Sequence, residues 1–242
     1  MKKILVLTML FALVLGLLFT PVVGNALTID FGVIAPTPGG SIFYTVAGGP
    51  LVGTNIQVDN LVDLDVGAPV YTVINGLLNF TTGSLTGTSV GPPPVWNFGG
   101  GPLTTITIVG GVGLDLNNDG DFIDPGESIF IPIGTTLLTG NFGTAYVTVT
   151  QGNFKIAGSG FFDTKDDALV RLLGGDPSQI PSWLGNFNIS FQAPGSPPDT
   201  FTSTTVFSGD IVNTPIPEPA TMLLLGSGLI GLAGFARKRF KK

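Results

Sequence analysis

The sequence predicts an all-β protein: a β-sandwich or jelly-roll-like body with one short helix, flanked by an N-terminal signal helix and a C-terminal transmembrane helix. Three observations lead there. Short runs rich in Thr, Val, Ile and Phe recur through the middle of the chain, broken by Gly, Pro and Asn. Several of them alternate with period two, as in Tyr146-Val147-Thr148-Val149-Thr150 and Thr105-Ile106-Thr107-Ile108, which is how a half-buried strand reads. Charged residues make up only 11% of the chain, against about a quarter in an ordinary globular domain, and the most apolar stretches sit at the two ends.

In chain order the strand candidates are 27–33, 41–47, 51–58, 69–74, 77–82, 103–109, 128–132, 144–151, 153–159, 186–192 and 203–212. Gln151-Gly152-Asn153 separates two of them and reads as a hairpin turn. The segments 91–94 and 99–102 read as loops, because proline cannot sit in a central ladder. A single helix is expected where Asp163, Asp166 and Asp167 supply a cap and first-turn acids to Ala168–Leu173, with Gly174-Gly175 as the stop. Leu169, Leu172 and Leu173 would pack it over a sheet end. Residues 194–199 read as an exposed loop and 213–217 as a short spacer. No fixed repeat period is present, which disfavours a propeller or solenoid. The domain reading is therefore 1–26 signal peptide, 27–214 β-sandwich body and 215–242 C-terminal signal.

Composition removes whole classes of chemistry. None of the 242 residues is Cys or His, so disulfides, thiolate nucleophiles, His- or Cys-based zinc sites and Ser-His-Asp triads are excluded. Of the 10 basic residues, Lys2, Lys3, Arg237, Lys238, Arg239, Lys241 and Lys242 are terminal. The body 27–214 holds 3 basic residues against 15 acidic ones, a charge of −12. Such a surface repels nucleic acid and attracts divalent cations; no nucleic-acid partner is expected.

The ends read as addresses. Lys2 and Lys3 precede an uncharged apolar run, Ile4 to Phe19, and Gly24-Asn25-Ala26 places small residues for cleavage after Ala26. At the other end, Ala220 to Ala236 is uncharged over 17 residues, about 26 Å as a helix, and the basic cluster behind it stays cytoplasmic. Both ends are then inside and the acidic body lies across the membrane. Within this run Gly226, Gly228 and Gly231 match a dinucleotide fingerprint by spacing alone; no strand precedes them and no acid follows, so helix packing is the better account.

Pro217-Glu218-Pro219, followed by Ala220-Thr221-Met222-Leu223-Leu224-Leu225-Gly226, more Gly-rich apolar sequence and the basic end, resembles the PEP-CTERM sorting signal of Gram-negative bacteria. That resemblance implies export by the general secretory route, transient inner-membrane anchoring through 220–236, and recognition by an exosortase that removes the tail. It also implies a cell-surface or biofilm-matrix setting, in the company of exopolysaccharide. It covers residues 217–242 and is silent on the body.

One constellation in the body carries chemistry. In Asp115-Leu116-Asn117-Asn118-Asp119-Gly120-Asp121-Phe122-Ile123-Asp124-Pro125-Gly126-Glu127, oxygen side chains at alternate positions lead into a glycine. This matches the opening of an EF-hand-type Ca2+ loop, where alternate side chains converge and glycine permits the reversal. The predicted ligands are Asp115, Asn117, Asp119, Asp121 (through its carbonyl), Asp124 and Glu127. Position 12 is Gly126 rather than Glu, and strands flank the loop where helices would be expected. It therefore resembles the loops of dockerins and thrombospondin-type repeats more than a true EF-hand, with Asp124 or Glu127 completing the shell.

Enzymatic readings are weak. Glu127 is the only glutamate of the body, so a paired-carboxylate glycosidase site has few candidates. Asp59, Asp63 and Asp65 alternate and read as a solvated strand edge. Trp96, Trp183, Tyr44, Tyr71 and Tyr146 would either seal the core or stack on sugars. The sequence thus points to an exported non-catalytic surface or matrix protein, with a calcium-dependent carbohydrate-binding module as the alternative.

Overall fold

The computed structural model describes residues 27–33, 39–67, 69–150, 152–180, 182–196 and 198–216, together with residue 228. The signal segment with Ala26, the Pro217-Glu218-Pro219 motif and the apolar run 220–236 apart from Gly228 lie outside these residues. Among the described residues no helix is long and apolar enough to cross a membrane.

The body is mostly β with one short helix. Its strands are β1 (Ile29–Val33), β2 (Ser41–Tyr44), β3 (Pro50–Asp63), β4 (Tyr71–Ser89), β5 (Val95–Gly99), β6 (Thr105–Leu114), β7 (Ser128–Thr150), β8 (Asn153–Lys165), β9 (Trp183–Gln192), β10 (Phe201–Thr202) and β11 (Thr205–Pro215). The helix α1 (Asp167–Leu172) and a 3-10 turn at Pro177–Gln179 join β8 to β9. All pairings are antiparallel. Around the body, β3 pairs with β1, β1 with β11, β11 with β9, β9 with β8, β8 with β7, β7 with β6, β6 with β4, and β4 again with β3. The ladder closes on itself, leaving no free edge along this circuit. β5 bridges the far halves of β4 and β7, and β2 with β10 extends from β3.

Long bent strands make this closure possible. The expected strands 69–74 and 77–82 fall in one strand, β4, and 128–132 and 144–150 fall at the two ends of β7. The break between 69–74 and 77–82 is a bulge. Asn75 takes φ 51° where the β4–β6 register shifts, and Asn55 takes φ 51° where β3–β4 shifts. Asparagine tolerates this left-handed conformation, and a bulge bends the strand and increases its twist.

Alternation then fills the interior. In β9 the residues Trp183, Gly185, Phe187, Ile189 and Phe191 are buried and those between are less so. Phe187 lies against Phe80 of β4 and Phe142 of β7, with ring centroids 5.2 and 5.4 Å away. Phe161 of β8 lies flat on Gly185, where any Cβ would come within 2.0 Å of the ring. At the other end of the core Trp96, Phe154, Phe191, Phe201, Tyr44 and Phe98 form a second aromatic group.

The spacer and the helix start also differ from the sequence reading. The expected spacer 213–217 begins inside β11: Asn213 is fully buried and Pro215 pairs with Trp183. Asp163 does not start the helix. It is the inward residue of β8, and Asp166 alone caps α1, accepting hydrogen bonds from the Ala168 and Leu169 amides at 2.9 and 3.2 Å. Leu169 and Val170 are the buried residues of α1, with Leu172 and Leu173 packed at its margin.

Candidate functional site

The acidic loop is the connection between β6 and β7, closed at its base by the Leu114–Ser128 pair. Phe122 folds back so that its ring covers Gly113, leaving no room there for a Cβ. Asn118, Gly120 and Gly126 take φ of 59°, 90° and 97°, which reverse the chain within the loop. Each acid at an alternate position holds the backbone ahead of it. Asp115 accepts from the Asn118 and Gly120 amides at 2.6 and 3.0 Å. Asp119 accepts from Asp121 N at 3.0 Å, and Asp121 from Ile123 N at 3.2 Å.

The carboxylates gather in two groups that share Asp119. One ligand oxygen from each of Asp115, Asp119 and Glu127 lies within 4.8 Å of the others, and the same holds for Asp119, Asp121 and Asp124. Asn117 lies between them, its amide nitrogen donating to Asp119 Oδ2 at 2.9 Å and Asp124 Oδ2 at 2.8 Å. The second group is wholly exposed. The first is anchored by Glu127, 8% exposed, whose Oε1 accepts from the Leu116 amide at 2.8 Å. Its Oε2 is buried without a hydrogen-bond partner. Among the described residues the ion pairs are Lys165–Asp163 and Arg171–Asp167, so no cation of the body answers these acids.

The other sequence candidates separate from this loop. Asp63 and Asp65 are engaged locally: Asp63 accepts from the Asp65 amide at 2.9 Å and Asp65 from the Thr28 amide at 2.7 Å. Trp96 and Trp183 are 0% and 1% exposed, so neither offers a face to a sugar ring. Tyr44 is equally buried, while Tyr71 stands edge-on to Phe130.

Two polar features escaped sequence reasoning. Asp163 and Lys165 form a fully buried ion pair, with Lys165 also 5.1 Å from the centre of the Trp183 ring. Phe161, Asp163 and Lys165 share one face of β8 by simple alternation, which is the signal that would have found the pair. The second feature is Asp30, half-buried on β1. Burial and then the Asp210 carboxylate push its pKa from 3.8 up to about 6, against a hydrogen bond from the Ile211 backbone. The folded state therefore binds the proton more tightly, and the stability this gives is present below pH 3.8 and lost as the pH rises through about 6. Asp30→Asn is expected to raise the urea midpoint at neutral pH and to flatten its fall over this acidic range. A variant whose midpoint tracks the parent across the range would refute the assignment.

Residues 215–239 match the family model of the PEP-CTERM protein-sorting motif. The chain carries a PEP-CTERM sorting motif. No curated protein and no solved structure matches the chain. A PEP-CTERM motif is a sorting signal recognised by exosortase, and it marks the chain as an exported, exosortase-processed protein. The PEP-CTERM segment starts where the body stops: β11 ends at Pro215, and the Ile216 amide donates to the Ser182 carbonyl at 3.1 Å. Pro217, Glu218 and Pro219 follow directly on this last hydrogen bond of the sheet.

Proposed function

We propose that this chain is a non-catalytic protein of the cell surface or the exopolysaccharide matrix, whose β body is the cargo and whose C-terminus is the label an exosortase removes. The carrying observation is the PEP-CTERM match at 215–239, abutting a folded body that ends at Pro215. The inner membrane holds the chain transiently through 220–236, after cleavage behind Ala26. The rest of the surface supports a structural role. A depression of about 370 Å³ beside Asn55, Gln57 and Asn75 has no titratable group in its lining. Another of about 260 Å³ beneath Leu172 is lined by Asp63 and Tyr71 among otherwise apolar residues, and neither depression holds a lysine or a pair of carboxylates.

Processing tests the reading. In a host with an exosortase, the extracellular species is expected to begin after Ala26 and to end near Glu218. Glu218→Ala is expected to leave full-length protein in the inner membrane. Extracellular protein still carrying Phe240, or identical processing in a strain without the exosortase, would contradict it.

A further inference from the structure

We propose that the β6–β7 connection is a Ca2+ site built on Asp115, Asp119 and Glu127, independent of the sorting tail. The acids alone would not carry this, since exposed carboxylates commonly cluster in turns. The independent observation is Glu127. It is 92% buried by its 8% exposure, and one of its oxygens has no partner. It belongs to the group whose ligand oxygens lie within 4.8 Å of those of Asp115 and Asp119. A buried carboxylate oxygen without a donor is costly, and the described cations of the body are engaged elsewhere or distant in the ladder: Lys165 with Asp163, Arg171 with Asp167, and Lys155 opposite Thr148 and Ser190. A cation beside Glu127 Oε2 resolves that cost.

The donors select the ion. All are oxygens, which suits a hard cation. They come from a loop with three residues at positive φ, and Ca2+ accepts an irregular shell of six to eight oxygens where Mg2+ demands a near-ideal octahedron. Asn117 is placed to contribute. Its side-chain amide already spans Asp119 and Asp124, and a half-turn of the amide presents its oxygen in place of its nitrogen. Glu127 also closes the loop, because its other oxygen holds the Leu116 and Asn117 amides at 2.8 and 3.4 Å. An ion there ties the start of the connection to its end, one residue before β7.

The test uses the full-length chain in detergent, stripped with EDTA and titrated with CaCl2 by calorimetry, with thermal unfolding followed in parallel. One Ca2+ per chain is expected, saturating at roughly 10⁻⁴–10⁻³ M as in extracellular modules, with a rise in melting temperature that MgCl2 does not match. Glu127→Gln is expected to weaken uptake about tenfold or more, and Asp199→Asn, an exposed acid outside the loop, to leave it unchanged. Asp119→Asn changes an exposed side chain and is expected to fold normally while losing uptake, which covers a failure of the buried variant to fold. No saturable uptake at about 10 mM Ca2+, equal responses to Ca2+ and Mg2+, or an Asp119→Asn variant that binds like the parent would each overturn the site.

Discussion

Replacing Trp96 by alanine is expected to remove about 3–5 kcal/mol of stability, a large share of the roughly 5–15 kcal/mol that holds an ordinary domain together. Trp96 sits on β5, the short strand bridging β4 and β7, and pairs with Thr88 on one side and Val147 on the other. Its ring stacks on Phe154 at 5.5 Å and meets the face of Phe201 edgewise at 5.1 Å. Its Nε1 donates to the Asp199 carbonyl at 3.2 Å. Truncation therefore opens a cavity among three strands and frees the loop before β10. Trp96→Phe keeps an aromatic ring and forfeits one hydrogen bond of about 1 kcal/mol plus ring volume, so its urea midpoint should fall between parent and alanine. Trp183 remains as the fluorescent reporter. The same pair of variants separates core from ligand: a sugar-stacking tryptophan would leave the midpoint in place and lose glycan binding. An unchanged midpoint in Trp96→Ala would remove this ring from the core.

The strand content was legible because period-two alternation and turn residues act locally. Val147 is buried between half-buried Tyr146 and Thr148, and beyond Gln151, which lies outside the described residues, Thr150 pairs with Asn153 and Gly152 takes φ 79°. Closure of the sheet was not legible. It depends on Asn55, Asn75 and Gly134 sitting inside strands with positive φ, and locally such residues mean the end of a strand. β5 was missed for a related reason: it is 5 residues long and lies between the proline and glycine runs that read as the loops 91–94 and 99–102. The two-layer arrangement expected from short strands thus becomes a continuous ladder once pairs of them are joined.

The loop 115–127 was visible as a pattern because its acids fall at alternate positions near a glycine. Which acids share an ion-sized space was not visible, since it depends on Gly126 turning Glu127 inward at the start of β7. The position of the loop in the molecule was also hidden. Antiparallel pairing around the closed ladder puts the start of β1, the end of β11 and the β6–β7 connection on one rim. The acidic loop therefore shares the rim from which the chain leaves toward its sorting motif.

Near that exit, Asp163→Ala is expected to cost about 3–5 kcal/mol, because one charge of a buried pair is left without its partner. Asp163 lies opposite Trp183, and Trp183 opposite Pro215, the last residue of β11. Burial lowers Lys165 to about 8 and raises Asp163, while the attraction between them opposes both shifts. Replacing both with apolar residues, as in Asp163→Leu with Lys165→Met, removes the desolvation cost together with the attraction, so the double variant should be far more stable than the sum of the single losses predicts. The pH dependence follows from the signs. Lys165 has a lower pKa folded than its 10.5 unfolded, so its contribution is fully present above 10.5 and is lost as the pH falls through the folded value. In the parent that value is about 8. In Asp163→Ala it is lower still, because the carboxylate no longer supports the ammonium. The variant therefore begins to regain stability at a pH where the parent is still level, and its deficit narrows as the pH rises toward about 8 and holds steady above it. Urea midpoints of parent and variant at about pH 6 and about pH 9 measure this. A deficit of the same size at both would mean that the lysine finds water in the folded state, and that the ion pair is not what orders the end of β8 beneath Trp183.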